Sequence, residues 1–499
     1  MVIRMQPPAQ TASVNVRIGQ AAALPLGVRL GQTLAPLFLA AADYVAVSAA
    51  IYSAAWLRGV LLPDVFPALL PFHIGQTYIY FLLPVAYLTL IAAQGLYTRR
   101  LPFWQLAGLL FKSCCYVAIL SFGIIYIFKT SHISRLFTVT AWGLSFIFLA
   151  ISHYAAKRLL ARIGCWQKPV IIVGAGKTAE LLAGAFAADP LMGYKVAGLI
   201  EDNYADRPLT RQYPYLGTFR QAARIIAASA IKDVIIAAPG LSRGRLLGLV
   251  SRLQPHVRSL AVVPDIRGLP LAGMEVETLF NEKLVLLKLR NNLAALHNRL
   301  LKRTLDIVAS VAGGIFILPL LLVIAAAIRL DSPGPAIFTH QRVGRKGRPF
   351  PCYKFRTMAA NAQEMLEAYL AQNPAAREEW ERDFKLKDDP RVTRIGKFLR
   401  KTSLDELPQI INVIRGEMSL VGPRPVTEKE LANYGEYIGD YYLVPPGITG
   451  LWQTSGRNDV DYATRVQMDS WYVRNWSPWL DIVLLFRTIK VVLKVKGAY

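Results

Sequence analysis

The sequence predicts a membrane protein in three parts: a four-helix transmembrane N-terminal bundle, a Rossmann-like α/β middle domain, and a mostly α C-terminal domain entered through a re-entrant membrane helix. Three observations predict it. Four apolar runs near the N-terminus each approach the ~20 residues that a bilayer crossing needs. A short β-rich run leads into Gly174-Ala-Gly176-Lys-Thr-Ala179, and a fifth apolar run over 307–328 is interrupted by Pro319. The expected boundaries are 1–164, 165–295 and 296–499, with the re-entrant segment at about 302–329.

Composition agrees with this division. The 499 residues are 54% hydrophobic and 18% charged, with a mean hydropathy of +0.33, too apolar for a purely soluble chain. Lys and Arg number 57 against 33 Asp and Glu, a net charge of +24 that points to anionic partners. Residues 1–167 carry 12 basic and only 2 acidic side chains, so much of the surplus flanks apolar runs, as in a chain orienting in a bilayer. No DNA- or RNA-binding motif accompanies the charge, and nucleic acid is excluded as a partner. Four cysteines, two of them adjacent at Cys114 and Cys115, offer neither a C-x-x-C spacing nor a disulfide framework, which fits a reducing compartment.

The four N-terminal runs cover about 34–57, 77–96, 106–128 and 136–154. With the N-terminus inside, Arg4, Arg17, Arg29, Arg99, Arg100, Lys157, Arg158 and Arg162 lie on the inner side, against Arg58, Lys129 and Arg135 outside. Asp43, within the first run, is costly at mid-bilayer unless it faces a partner, and a neighbouring helix is the expected one. No cleavable signal is apparent in residues 1–30.

From Lys168 the pattern becomes strand, glycine turn and helix start, the arrangement by which dinucleotide folds hold pyrophosphate. Gly174 and Gly176 are therefore possible nucleotide-binding residues, with Glu201 or Asp202 at the position of a ribose-binding carboxylate. A P-loop is excluded because Ile171 stands where its first glycine would be. The alternative is a fold that binds little and serves assembly, as in a homodimer.

The 307–328 run would span about 33 Å as a straight helix, enough to cross. Yet Lys302 and Arg303 before it and Arg329 after it are all inside-type charges. Pro319 removes a backbone bond and bends a helix, so the expectation is a hairpin that enters and returns on one face.

The remaining residues hold clusters of Gly, Pro, Arg and acid: Lys354-Phe-Arg356, Arg400-Lys-Thr-Ser-Leu-Asp405-Glu406-Leu-Pro, Gly422-Pro-Arg424-Pro, Pro446-Gly-Ile-Thr-Gly450 and Gly456-Arg457. Arginine forks and close-approach glycines suit a site that grips phosphate. On a helix Asp405 and Glu406 point about 100° apart, so one carboxylate could attack phosphorus while the other holds Mg²⁺. Ser403-Leu-Asp-Glu406 is also a capping-box spacing, and spacing alone favours that structural role for Glu406.

These motifs, with Lys302-Arg303-Thr-Leu-Asp306 and Met418-Ser-Leu-Val-Gly-Pro-Arg424-Pro, make residues 302–499 resemble the monotopic polyprenyl-phosphate phosphoglycosyl transferases, or bacterial sugar transferases. The resemblance extends through the N-terminal helices and the middle domain. Gly456-Arg-Asn-Asp-Val-Asp-Tyr462 and the terminal Gly497-Ala-Tyr resemble the galactose-transferring branch. It implies an enzyme of the bacterial inner membrane, its catalytic domain on the cytoplasmic face, that transfers galactose-1-phosphate from UDP-galactose to undecaprenyl phosphate in surface-polysaccharide synthesis. UDP-glucose is the alternative donor. The resemblance further implies Asp405 as nucleophile and Glu406 as the Mg²⁺ ligand. Arg400, Arg424 and Arg457 would contact phosphate or sugar, Lys354 and Arg356 would bind substrate, and Lys302 and Arg303 would hold the lipid phosphate or a headgroup. Some family members carry Ser-Pro at the helix break, where this chain has Leu318-Pro319. A membrane-bound nucleotide-sugar dehydratase is disfavoured because no tyrosine is followed four residues later by lysine. A non-catalytic scaffold role remains open for residues 1–299.

Overall fold

The computed structural model describes residues 26–67, 69, 75–127, 134–203, 207–266, 268–270, 274–279, 284–383, 386, 389–455 and 460–494. Arg457, with Arg4, Arg17, Lys129 and the terminal Gly497-Ala-Tyr, lies outside them. The chain packs as two compact units, Met1–Asp265 and Ile266–Tyr499, so the expected boundary at 295/296 falls inside the second.

In the first unit the apolar runs are helices: α1 (Leu26–Trp56, continuing as helical turns to Val65), α2 (Leu83–Ala93), α3 (Phe103–Ile127) and α4 (Arg135–Arg162). Three of these are long and apolar enough to cross a membrane. The second run is a shorter apolar helix among the described residues, Ile79–Ala93, and Gly95, at φ +68°, follows it in the left-handed region. Asp43 on α1 is fully buried and pairs with His153 Nδ1 on α4 at 2.9 Å, the helix-facing partner expected of it.

Five parallel strands follow, β1 (Lys168–Val173), β2 (Tyr194–Ile200), β3 (Tyr215–Gly217), β4 (Asp233–Ile236) and β5 (Ser259–Val262), in the order β3-β2-β1-β4-β5. β1 is buried on both faces because α5 (Lys177–Ala188) covers one side while α6 (Ala222–Ala228) and α7 (Arg243–Leu253) cover the other. Gly174 ends β1 at φ +111°, and a Cβ there would sit 2.7 Å from the Ala237 carbonyl, so only glycine fits. The nucleotide expectation for this turn meets an obstacle. The Ala175 N–H, which a pyrophosphate would use, is bonded to Glu201 Oε2 at 2.7 Å. Glu201 Oε1 accepts from the Asp202 and Asn203 amides, and Asp202 Oδ1 accepts from Phe219 N–H. Both candidate ribose carboxylates already accept from the main chain, Glu201 through both oxygens and Asp202 through Oδ1.

The second unit opens with a hairpin, β6 (Glu275–Leu279) and β7 (Leu284–Lys288), and then α8, which runs uninterrupted from Leu296 to Asp331 with Pro319 inside it. The expected hairpin therefore has no loop at the proline. Near its start, however, Lys302 and Asp306 are buried against one part of the unit, and near its end Ile324 and Ile328 are buried with Phe355 and Leu399 in another. Between them the helix is largely bare, with Ile315 at 71% and Phe316 at 87% exposure, an apolar surface of the kind that lipid covers. An antiparallel hairpin, β8 (Ile337–Val343) and β9 (Pro349–Phe355), a short parallel pair, β10 (Ser419–Val421) and β11 (Gly447–Thr449), and helices make up the rest.

Candidate functional site

The site is assembled around a short helical segment placed by a close contact. α9 (Arg394–Thr402) starts at Thr393, whose hydroxyl accepts from Gly396 N–H. A Cβ at Gly396 would lie 2.0 Å from the Thr357 carbonyl, so glycine lets α9 press onto the strand end that follows β9. That contact puts Arg400 Nε 3.0 Å from Thr357 Oγ1. Ser403 then takes φ +57°, a conformation that costs a non-glycine residue about 1–2 kcal/mol, and turns the chain into a 3₁₀ segment, Leu404–Gln409.

Asp405 and Glu406 occupy the first turn of that segment. The capping-box expectation fails here: Ser403 makes no side-chain cap, and Glu406 Oε1 accepts from Lys354 Nζ at 2.7 Å instead. Lys354 Nζ also stands 4.0 Å from Asp405 Oδ2. Burial pushes the Asp405 carboxyl up to about 6 and the Glu406 charge adds to this, while Lys354 and Arg400 pull it down.

Both carboxylates line a cavity of about 900 Å³ within this unit, together with Lys354, Arg356, Arg400 and Arg424. The Arg424 guanidinium lies 5.6 Å from the centre of the Trp452 ring, and Arg465 lies 4.9 Å from the same ring. Two carboxylates facing a cavity with lysine and arginines suit Mg²⁺ that arrives with a diphosphate, since this ion takes one or two protein carboxylates and keeps phosphate oxygens as further ligands. No group of three ligating side chains occurs among the described residues.

Three cations expected to bind substrate have structural partners. Lys302 does not line the cavity; its ammonium donates to Val421 O, Tyr472 Oη and Asp481 Oδ2, at 2.9, 3.2 and 2.7 Å, which uses all three protons. Arg303 bonds the Val413 and Ile414 carbonyls and so caps the end of α10 (Ile410–Arg415). Arg356 touches the cavity, but both terminal nitrogens hold the Ser332-Pro333 turn, bonding Pro333 O, Ser332 O and Ser332 Oγ. Lys354, Arg400 and Arg424 are brought together as expected. The sequence reading missed Trp452, Gln453, Arg465 and Asp469, which line the same cavity. Arg465 and Asp469 have i,i+4 spacing on α12 (Tyr462–Arg474), too common a pattern to mark a site.

A family model described as bacterial sugar transferase matches residues 297–495, and one described as CoA-binding domain matches residues 92–264. The chain is 43% identical to an undecaprenyl-phosphate galactose phosphotransferase of Salmonella typhimurium, over 81% of this chain and 84% of that protein. It is 42% identical to a UDP-galactose-lipid carrier transferase of Erwinia amylovora, over 81% and 84%. It is 34% identical to a UDP-glucose:undecaprenyl-phosphate glucose-1-phosphate transferase of Escherichia coli, over 67% and 69%.

Proposed function

The chain belongs to the bacterial sugar transferase family, and from that premise we propose that it transfers galactose-1-phosphate from UDP-galactose to undecaprenyl phosphate, releasing UMP. The reaction class is supported by the names of all three relatives. The choice of galactose is supported by the two of higher identity, and UDP-glucose is the competing donor.

One observation carries the mechanism: Asp405 and Glu406 share a cavity with Lys354, Arg400 and Arg424, and Glu406 is engaged by Lys354 rather than by a helix cap. Asp405 attacks the β-phosphorus. An Asp405 O–P bond forms, the bond to the bridging oxygen breaks, and UMP leaves with that oxygen. An oxygen of undecaprenyl phosphate then attacks the same phosphorus and displaces the carboxylate, giving undecaprenyl-diphospho-galactose. Lys354, Arg400 and Arg424 orient the diphosphate and offset the charge that would repel an attacking anion. Mg²⁺ held by Glu406 and the phosphates would supply further charge neutralisation.

The proposal places this chemistry on the cytoplasmic face of the inner membrane, with α8 bending at Pro319 so that it enters and leaves on one side. Support comes from the two buried ends of α8, which grip a single unit while its middle is bare. It includes a homodimer, supported by the exposed apolar face of the β6–β7 hairpin at Val276, Val285 and Leu287. The testing experiment is transfer to undecaprenyl phosphate from a panel of radiolabelled UDP-sugars. Fastest turnover is expected with UDP-galactose, and faster turnover with UDP-glucose would reassign the donor.

A further inference from the structure

Trp452, on the short helix α11 (Leu451–Ser455), is 6% exposed and lines the cavity as a fixed platform. Two guanidinium groups lie against this one ring: Arg424, which follows β10, and Arg465 on α12, and both side chains line the cavity. Stacking uses the face of a guanidinium and leaves its N–H groups able to donate. Arg465 Nε donates to Val460 O at 2.9 Å, which fixes the side chain. Its two terminal nitrogens make no hydrogen bond among the described residues, and they are accessible rather than sealed. Arg424 is exposed, and its guanidinium likewise bonds nothing among the described residues.

The acids around this pair are taken. The Arg424 charge acts on Glu430 and Asp469, and the Arg465 charge on Asp461. Yet Glu430 accepts from Thr427 and pairs with Arg342. Asp469 takes the Tyr434 hydroxyl and the Arg424 main chain, and Asp461 takes the Thr464 amide. Two like charges on one buried ring repel, and an anion bonded to both relieves that repulsion. A planar fork matches phosphate oxygens two at a time, which makes phosphate the anion this pair suits best.

The pair stands apart from the cations at the dyad, since Lys354 and Arg400 are the ones that act on Asp405. The transferase cycle assigned above handles phosphate at three points: the phosphorus under attack, the nucleotide phosphate that leaves as UMP, and the phosphate of the lipid acceptor. Lys354 and Arg400 serve the first. We propose that Arg424 and Arg465, stacked on Trp452, form a second phosphate subsite that holds a phosphate other than the one under attack. The proposal rests on the transferase function, and the phosphate has two sources in it, nucleotide and lipid.

The test compares full-length wild type, Arg465→Gln and Arg465→Lys in nanodiscs, with thermal melting to confirm folding. One arm measures binding of UMP and of uridine by calorimetry. The other labels the enzyme with donor, removes UMP, and measures KM for undecaprenyl phosphate in the discharge step. Arg465→Gln is expected to lose about tenfold or more in at least one arm. Arg465→Lys, which keeps the charge but not the fork, should fall in between. Weaker UMP with unchanged uridine assigns the nucleotide phosphate, whereas a raised acceptor KM with unchanged UMP assigns the lipid phosphate. Folded Arg465→Gln within about threefold of wild type in both arms, or uridine weakened as much as UMP, would overturn the subsite and leave the transferase reading intact. UMP binding that depends on Arg465 in a wild-type protein that releases UMP from no UDP-hexose would keep the subsite and overturn the transferase reading.

Discussion

Lys354 Nζ donates to Glu406 Oε1 at 2.7 Å and stays 4.0 Å from Asp405 Oδ2, so the lysine bonds one carboxylate and only screens the other. Asp405, half-buried like its neighbour, is held above the ordinary carboxyl range by desolvation and by the Glu406 charge.

A pH dependence follows. Burial pushes the Asp405 carboxyl up to about 6, so the anion that the proposed mechanism requires is lost as pH falls through that value. kcat/KM for UMP release is expected to decline below about pH 6. Lys354→Met removes a cation that lowers this pKa and should move the acid limb to higher pH as well as reduce the rate. An acid limb at the same pH in both proteins would contradict the assignment.

Lys302 tests the difference between a substrate contact and a structural pair. Lys302→Met leaves the buried Asp481 carboxylate with its Tyr472 and Trp476 donors but without its cation, with an expected loss of about 3–5 kcal/mol of stability. Thermal melting should fall sharply, whereas KM for undecaprenyl phosphate in the folded fraction should stay within about threefold, under 1 kcal/mol. A large KM increase at unchanged stability would restore the lipid-phosphate role.

The glycine turn of the parallel sheet separates fold from chemistry. Gly176 has open space around its Cβ position, while Gly174 has the Ala237 carbonyl at 2.7 Å. Gly176→Ala should fold and keep turnover within about tenfold, roughly 1.4 kcal/mol of barrier. Gly174→Ala should lower stability. A far larger activity loss in well-folded Gly176→Ala would place this domain in the catalytic machinery.

The membrane arrangement of α8 is open to labelling. A cysteine introduced near Asp440 should be inaccessible to an impermeant thiol reagent in intact cells and react after permeabilisation. Labelling in intact cells would mean that the helix crosses.

Much of this was legible in sequence, for identifiable reasons. Apolar runs and the strand–glycine–helix pattern reflect local periodicity, and α1, α3, α4 and the β1 turn follow them. Lys354, Asp405, Glu406, Arg400 and Arg424 sit in dense motifs and converge on one cavity. The errors concern partners far along the chain. Whether Lys302 grips phosphate or a carboxylate depends on Asp481, 179 residues away, and Arg303 is decided by the end of α10, about 110 residues away. The capping box misled because its spacing is satisfied while the backbone at Ser403 turns left-handed and Lys354 draws Glu406 aside. Asp469 and Gln453 carry no sequence signal, since only packing brings them to the cavity wall.

The most direct test of the account is covalent trapping at Asp405. Wild type, Asp405→Asn and Glu406→Gln would each be incubated with UDP-galactose labelled in the sugar and with Mg²⁺, without lipid acceptor, and then digested and mapped. Wild type is expected to release UMP and retain label on the peptide containing Asp405. Asp405→Asn should acquire none at any Mg²⁺ concentration, and Glu406→Gln should be labelled slowly and be partly rescued by added Mg²⁺. Labelling of Asp405→Asn at the wild-type rate, or no label on any residue of wild type under trapping conditions, would contradict the double-displacement mechanism.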